Sequence, residues 1–166
     1  MDYLQQVPLK ANFVDMGCVA GTTNTWTNTV ASQCVINGKF TTQLATNSNQ
    51  SETPTTDANT GAAFETITSN KAAAVVFGVN AAGTLVAAQG KMVDTYPGVT
   101  TTVGAFKEAP QFPAIPDDFC PIAYTVVRVS PTGASFVLGT TQWAASGISC
   151  TTFKNISTLP ARPQIA

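Results

Sequence analysis

A continuous apolar run predicts the first central strand of this chain. Residues 73–79 are all apolar or glycine and end at the four-residue turn 80–83, which reads Asn-Ala-Ala-Gly. Residues 84–93 then return as a second strand, with Gly90 as a candidate bulge. A helix over residues 72–88 is the alternative. The β-branched residues and the Asn and Gly punctuation favour the strand interpretation.

A second apolar run has the same form. Residues 122–129 predict a strong strand, the turn 130–133 reads Ser-Pro-Thr-Gly, and residues 134–138 return. Residues 148–156 predict a last strand. Residues 64–68 alternate apolar and polar side chains, as a half-buried strand does.

The clearest local signal is Asn37-Gly38. Asn-Gly between two strand-like segments is the preferred type I′ hairpin turn, because both central residues need a positive φ. The expected cross-strand pairs are Ile36 with Lys39, Val35 with Phe40 and Ala31 with Leu44. This register places four apolar side chains on one face: Ala31, Val35, Phe40 and Leu44.

Other segments are polar or proline-rich. Residues 1–12 predict an arm, and residues 13–20 a first strand. Residues 46–61 are almost wholly polar, so we expect a long exposed loop that projects from the body or lies on a neighbouring subunit. The segments 110–121 and 159–164 contain several prolines and predict extended connections rather than central strands.

Strand-like segments at this spacing predict an all-β fold, either an antiparallel β-sandwich or a small barrel, with an N-terminal arm and long loops. We expect an arm over residues 1–12 and a single β domain over residues 13–166. A subdivision of that domain near residues 105–120 is the alternative, because the proline-rich segment lies there.

The composition argues against most enzymes. The 166 residues include no His, and only 10% are charged, against roughly 25% in an average soluble domain. Without His, the chain cannot form a Ser-His-Asp or Cys-His pair or an imidazole metal ligand. The 26 Thr, 23 Ala and 10 Asn instead indicate a protein that packs and binds. We therefore expect a non-enzymatic protein with no cofactor.

The charge distribution gives further expectations. The formal net charge is −1, and the eight basic residues are scattered, so we expect no nucleic-acid partner. The longest apolar run, residues 72–79, is too short to span a bilayer, so we expect no membrane association. The first residues show no basic segment followed by an apolar stretch, so we expect no secretory signal peptide in this chain.

Four cysteines are widely spaced, at positions 18, 34, 120 and 150. A structural zinc site and two disulfides are the alternatives to four buried thiols. Because no CxxC pair and no export signal are present, we favour buried thiols that act as small hydrophobic side chains.

Few residues suggest a chemical site. The adjacent Asp117 and Asp118 could ligate Ca²⁺ in a proline-rich loop, but a solvated turn is the simpler interpretation. A glycosidase-like pair of carboxylates is the least excluded hydrolytic site, although the sequence places no such pair. Trp26 and Trp143 could be sugar-stacking platforms, and core or interface packing is favoured. Arg128 could pair with an acid across a subunit boundary, or could lie on a solvent-exposed strand face.

The second half of the chain carries a resemblance, through the segments Phe112-Pro113-Ala114-Ile115-Pro116, Cys120-Pro121-Ile122-Ala123-Tyr124-Thr125-Val126-Val127, Phe136-Val137-Leu138-Gly139-Thr140-Thr141-Gln142-Trp143, Gly147-Ile148 and Thr158-Leu159-Pro160-Ala161-Arg162-Pro163-Gln164. They resemble the C-terminal part of small virion structural proteins of tailed bacteriophages, of the capsid decoration (cement) or head-fibre type. The resemblance covers about residues 105–164.

The resemblance implies a non-enzymatic, all-β protein, commonly a homotrimer, that binds the outside of the major capsid shell and stabilises it. The expected partner is the major capsid protein, and the expected location is the capsid surface of the virion. A head-fibre, tail or glycan-binding module and a secreted β-domain or hydrolase are the alternatives. The candidate interface residues are Tyr3, Leu4, Trp26, Arg128 and Trp143.

Overall fold

A computed structural model describes residues 10–165, with the backbone alone for residues 50–52. This part of the chain contains twelve β-strands and no helix. The strands are β1 (Lys10–Asn12), β2 (Val19–Ala20), β3 (Thr25–Asn28), β4 (Cys34–Ile36), β5 (Lys39–Phe40), β6 (Asn47–Glu52), β7 (Lys71–Val79), β8 (Leu85–Gln89), β9 (Val93–Asp94), β10 (Cys120–Val129), β11 (Ile148–Cys150) and β12 (Lys154–Asn155).

The strands form three antiparallel sheets. The large sheet has the order β11-β10-β7-β8, with β12 also paired to β10 and β9 to β7. Two three-stranded sheets have the orders β1-β4-β5 and β2-β3-β6. The sheets are open and do not close into a barrel. The all-β prediction is confirmed, and of its two forms the sandwich-like one is observed.

Strands β7 and β10 form the centre of the large sheet. Val75 and Val76, adjacent residues that point to opposite faces, are both buried, as are nearly all residues of the two strands. A strand that is covered on both faces reads as a continuous apolar run, which explains the two runs in the sequence. The helix alternative over residues 72–88 is therefore wrong.

One face of the large sheet packs against the two small sheets. Val75 and Phe77 of β7 belong to a core cluster that also contains Trp26 of β3 and Cys34 and Ile36 of β4. Aromatic rings fill its centre. The ring centroids of Phe77 and Phe153 lie 5.2 Å apart, and Trp143 packs against both rings.

Irregular segments cover the opposite face. Phe112 and Phe119 of the proline-rich connection, together with Leu159 of the C-terminal segment, pack on Val76 and Tyr124. The Phe112 ring meets the Tyr124 ring edge-on at 4.9 Å. Residues 110–119 and 159–164 form no helix or strand, as expected of connections. The predicted end of the first connection is wrong, because Cys120 and Pro121 pair with β7 as the first residues of β10. The region near residues 105–120 is thus packed on the large sheet.

The predicted turns are confirmed. Asn37 and Gly38 have φ values of 50° and 76°, and β4 and β5 pair Val35 with Phe40 and Ile36 with Lys39. In the turn 80–83, the Gly83 N–H donates to the Asn80 carbonyl at 3.0 Å. In the turn 130–133, the Gly133 N–H donates to the Ser130 carbonyl at 3.2 Å.

The prediction for residues 46–61 is wrong. Residues 47–52 form β6 on β3, and residues 57–58 pair with the edge of β8 through the bridge between Asp57 and Ala87. The buried Asp57 carboxylate accepts hydrogen bonds from the N–H groups of Gln89 at 3.0 Å and Asn59 at 2.7 Å. The loop therefore covers a sheet edge of its own chain, because the Asp57 carboxylate and the Ala58 N–H make hydrogen bonds to backbone groups at the edge of β8.

Several predicted boundaries are also wrong. Residues 10–12, assigned to the arm, form β1 on β4, and only residues 19–20 of the predicted first strand are a strand. Residues 64–68 and 134–138 meet in the single bridge between Ile67 and Phe136. The return strand is interrupted at Gly90, and the last strand is divided into β11 and β12. At these boundaries, turns and side-chain hydrogen bonds end the strand pairing early. Neither produces an alternation of apolar and polar residues, so the sequence pattern did not show where the strands end.

Candidate functional site

Both tryptophans are buried in the core. Trp26 and Trp143 are 2% and 6% exposed, and the Trp143 indole N–H donates to the carbonyl of Thr25 at 2.8 Å. Neither ring offers a face to a sugar. The structure therefore supports core packing and corrects the sugar-platform alternative for these two residues. A glycan-binding site among the described residues would have to use other side chains.

Arg128 is half-buried on the opposite face of the large sheet. The register aligns Arg128, Ala72 and Val93 across three strands, and the guanidinium carbon lies 5.2 Å from the centre of the Phe106 ring. Its Nη1 donates to the carbonyl of Gly104 at 3.4 Å. No described carboxylate lies within ion-pair distance of it. The pairing of Arg128 with an acid of another subunit stays a prediction.

The structure does not gather the predicted interface residues into one site. Trp26 and Trp143 share the core cluster, whereas Arg128 lies on the other face of the large sheet. Tyr3 and Leu4 lie outside the described residues.

All four cysteines are free thiols. Burial raises the pKa of Cys18 to about 12, with a smaller contribution from the Asp15 carboxylate, and burial raises that of Cys150 to about 12. The pKa of Cys34 is raised by its hydrogen bond to Cys120 and by burial. The structure supports the interpretation as buried thiols for Cys18, Cys34 and Cys120, whereas Cys150 is half-buried. Among residues 10–165, no group of three or more Cys, Asp or Glu side chains could hold a metal ion.

The two adjacent aspartates serve separate contacts. The Asp118 carboxylate accepts a hydrogen bond from the Ala81 N–H at 2.7 Å, whereas the fully exposed Asp117 carboxylate lies 3.6 Å from the Lys10 ammonium group. The two carboxylates therefore act as parts of a solvated turn. They border a cleft of about 440 Å³ that is also lined by Ile36 and Phe40.

The main exposed aromatic surface lies next to this cleft. Ala11, Val35 and Phe40 share the face of the sheet β1-β4-β5 that lies away from the core cluster, since Ala11 and Phe40 both pair with Val35. Ala11 and Val35 are themselves buried on this face. Phe13 lies on the same side, with its ring centroid 6.1 Å from that of Phe40. Phe13 is 57% exposed and Phe40 74% exposed. We call Ala11, Phe13, Val35 and Phe40 the aromatic face.

The aromatic face corrects one prediction and adds a residue. The sequence pattern placed Ala31, Val35, Phe40 and Leu44 on a single face. Val35 and Phe40 do share a face, but Leu44 packs against the core cluster, and the ladder pairs only residues 35–36 with 39–40. The core side of this sheet is taken by Cys34 and Ile36. Phe13 was not predicted at the surface. Ala11 and Phe13 are two residues apart, a spacing that places both side chains on one face of a strand. The assignment of residues 1–12 to an arm meant that this spacing was not used.

A second exposed apolar surface lies on the loop between Thr95 and Phe106, which form an isolated antiparallel bridge. We call this loop the 95–106 hairpin. Tyr96 and Val99 are exposed there, and the Lys107 ammonium group lies 5.6 Å from the centre of the Tyr96 ring. The hairpin is narrow at its base. A Cβ atom on Gly104 would overlap the Tyr96 carbonyl.

No family model, curated protein or solved structure matches this chain. No helix among the described residues is long and apolar enough to cross a membrane.

Proposed function

We propose that this chain is a capsid decoration (cement) protein of a tailed bacteriophage, which binds the outside of the major capsid shell as a homotrimer and stabilises it. The resemblance of residues 105–164 suggests this class. The structural observation that carries the proposal is the aromatic face, where the exposed rings of Phe13 and Phe40 lie beside the buried Ala11 and Val35 on an all-β body.

The scarcity of charge on the chain fits such a role. Only Lys71 with Asp94 and Lys10 with Asp117 form ion pairs among the described side chains. Interface cores are poor in charged residues because removing charges from water is costly, and threonine or asparagine makes hydrogen bonds at a lower cost. A surface of this kind suits a protein that contacts other subunits over much of its area.

The size of the aromatic face favours several linked copies. Covering the exposed parts of Phe13 and Phe40 removes about 260 Å² from water if each ring offers about 200 Å². That corresponds to about 6 kcal/mol at 25 cal/mol per Å². The entropy cost of association is about 4–15 kcal/mol, so one face gives weak binding at most. Three connected copies would convert weak contacts into stable attachment.

The test uses expanded shells that lack this protein, prepared from the phage that encodes it. The purified chain is expected to co-sediment with the shells in hundreds of copies and to raise their disruption temperature. The variant Phe40→Ser is expected to bind fewer copies, because it removes the more exposed ring without disturbing the core. The matched control, Val99→Ser, removes an exposed apolar side chain at the 95–106 hairpin and is expected to bind normally.

Absence of binding by the unmodified chain, or absence of the protein from authentic virions, would refute the proposal. Attachment of only tens of copies, at a vertex or a tail, would favour the head-fibre or tail alternative.

A further inference from the structure

A groove is lined on one side by β2, an edge strand of a small sheet, and on the other by Cys150 of β11 and the residues that follow it at the edge of the large sheet. It has a volume of about 420 Å³. We call it the edge groove. It is lined by Val19, Ala20, Trp143, Cys150, Thr152 and Phe153, with none of its lining residues charged.

The β2 wall of the edge groove presents unpaired backbone groups. The Gly21 N–H donates to the Thr25 carbonyl at 2.9 Å, which marks a hydrogen-bonded pair of the β2-β3 ladder. Such pairs alternate along an antiparallel ladder, so the N–H and C=O of Cys18 and Ala20 point away from β3.

A side chain occupies the first of these two outward positions. The Asn155 amide accepts from the Cys18 N–H at 2.7 Å and donates to the Cys18 carbonyl at 3.3 Å. It thereby takes the place of a neighbouring strand. At Ala20, the next outward position, no described residue bonds the N–H or C=O.

The opposite wall repeats this feature. The Thr151 N–H donates to the Val126 carbonyl at 3.0 Å, and the Ser130 N–H donates to the Gly147 carbonyl at 2.8 Å. These bonds place Cys150, which lies opposite Val127, at a position whose N–H and C=O point away from β10. No described residue bonds these groups either.

Two facing edges with unpaired N–H and C=O groups form a template for an added strand. Trp143 and Phe153 lie at the floor of the groove, where 6% and 8% of their surfaces are exposed, so the floor is apolar and shallow contact with it is possible only at the ring edges. An uncharged lining favours an uncharged segment, since a charge in the groove would lose its water without gaining a partner.

We propose that the edge groove receives an extended, uncharged segment of the capsid shell protein, which adds one strand between β2 and β11. The choice of the shell protein as the source rests on the proposed function. Within residues 10–165, a second copy of this chain is a poorer source, because its connections near residues 112–119 and 156–159 are already packed on its own large sheet.

The test places a charge at the rim of the groove. Thr152 is exposed, so Thr152→Glu is expected to fold normally and to bind shells at least tenfold more weakly than the unmodified chain. Thr152→Val keeps the shape and the absence of charge, and is expected to bind as the unmodified chain does. Thr101→Glu adds the same charge at an exposed position outside the groove and serves as the matched control.

Cys150 provides an independent readout, because it lines the groove and is more exposed than the other three thiols. Its labelling by a maleimide is expected to slow at least tenfold when the chain is bound to shells. If the chain binds shells while Thr152→Glu binds equally well and Cys150 labels at an unchanged rate, the groove proposal is overturned and the proposed function stands. If the unmodified chain does not bind shells, both are overturned. A bifunctional thiol reagent attached at Cys150 on shell-bound chains is expected to cross-link to the shell protein. Cross-linking to a second copy of this chain instead would also overturn the proposal.

Discussion

The close approach of Phe119 to Gly78 makes a strong prediction about stability. Gly78 lies in β7, and the Phe119 ring packs directly over it from the proline-rich connection. A Cβ atom at this position would lie 2.6 Å from one ring carbon and 2.7 Å from the Cys120 carbonyl oxygen. Ordinary contacts between such atoms are about 3.5–4.0 Å, so Gly78→Ala requires both groups to move by about 1 Å.

The expected destabilisation can be estimated from opposing effects. Inserting a methyl group into a packed core costs about 1–3 kcal/mol, and the upper half of that range applies because a backbone carbonyl must move as well as a ring. Alanine also restricts the unfolded chain more than glycine does, which offsets about 0.4–1 kcal/mol of this destabilisation. The free energy of unfolding should therefore fall by about 2 kcal/mol. In a chain of this size, that lowers Tm by about 4–8 °C.

Urea denaturation followed by circular dichroism measures this change, with an unchanged m-value expected. Phe119→Leu should be the suppressor, because the smaller side chain leaves room for the added methyl group. In the Phe119→Leu background, Gly78→Ala should cost about 1 kcal/mol less than in the unmodified chain. A destabilisation below about 0.5 kcal/mol, or additive effects of the two substitutions, would refute the proposed steric contact.

Three further predictions concern the turn, an ion pair and a thiol. Gly38→Ala should destabilise the protein by about 1 kcal/mol in urea denaturation, since φ is 76° there and no neighbouring atom obstructs the added methyl group. Lys71→Ala should raise the pKa of Asp94 towards its ordinary value in an NMR titration, because the hydrogen bond from Lys71 lowers that pKa. Maleimide labelling of Cys150 should rise about tenfold per pH unit between pH 9 and 11 instead of levelling off, because its pKa is raised from 9.0 to about 12. The same shift makes the folded state lose stability as the pH rises above 9, where the unfolded chain releases this proton first.

The central strands and tight turns could be predicted because their causes are local. Residues 73–79 and 122–129 are apolar throughout because both faces of β7 and β10 are covered. Asn37 and Gly38 adopt the positive φ values that their residue types favour.

The remaining strands depend on partners distant in sequence. Strand β6 has no apolar pattern, and it forms because the backbone of residues 47–52 pairs with β3, where Asn49 also accepts a hydrogen bond from the Thr22 N–H at 2.8 Å. Which face of the sheet β1-β4-β5 lies toward the core could not be predicted from the sequence either. Val35 and Ile36 are both apolar, so the sequence did not indicate which of them faces the core and which supports the aromatic face.

The site was predicted less well than the fold. Trp26 and Trp143 were chosen for residue type, and whether a tryptophan is buried depends on packing that a sequence pattern does not contain. The edge groove arises from backbone groups of Ala20 and Cys150, which carry no side-chain signal.

The contact between the first and last parts of the chain has a consequence for biosynthesis. The Asn12 N–H donates to the Ser157 carbonyl at 2.9 Å, and Asn155 bonds both backbone groups of Cys18. Residues 12 and 18 therefore wait until residues 155–157 have been synthesised before these hydrogen bonds can form. A chain stopped at the end of β10 would expose its central strands without the cover that residues 148–159 provide. Folding of this protein should consequently be a slow event that follows the synthesis of residues 148–159, as is typical of folds dominated by contacts between distant residues.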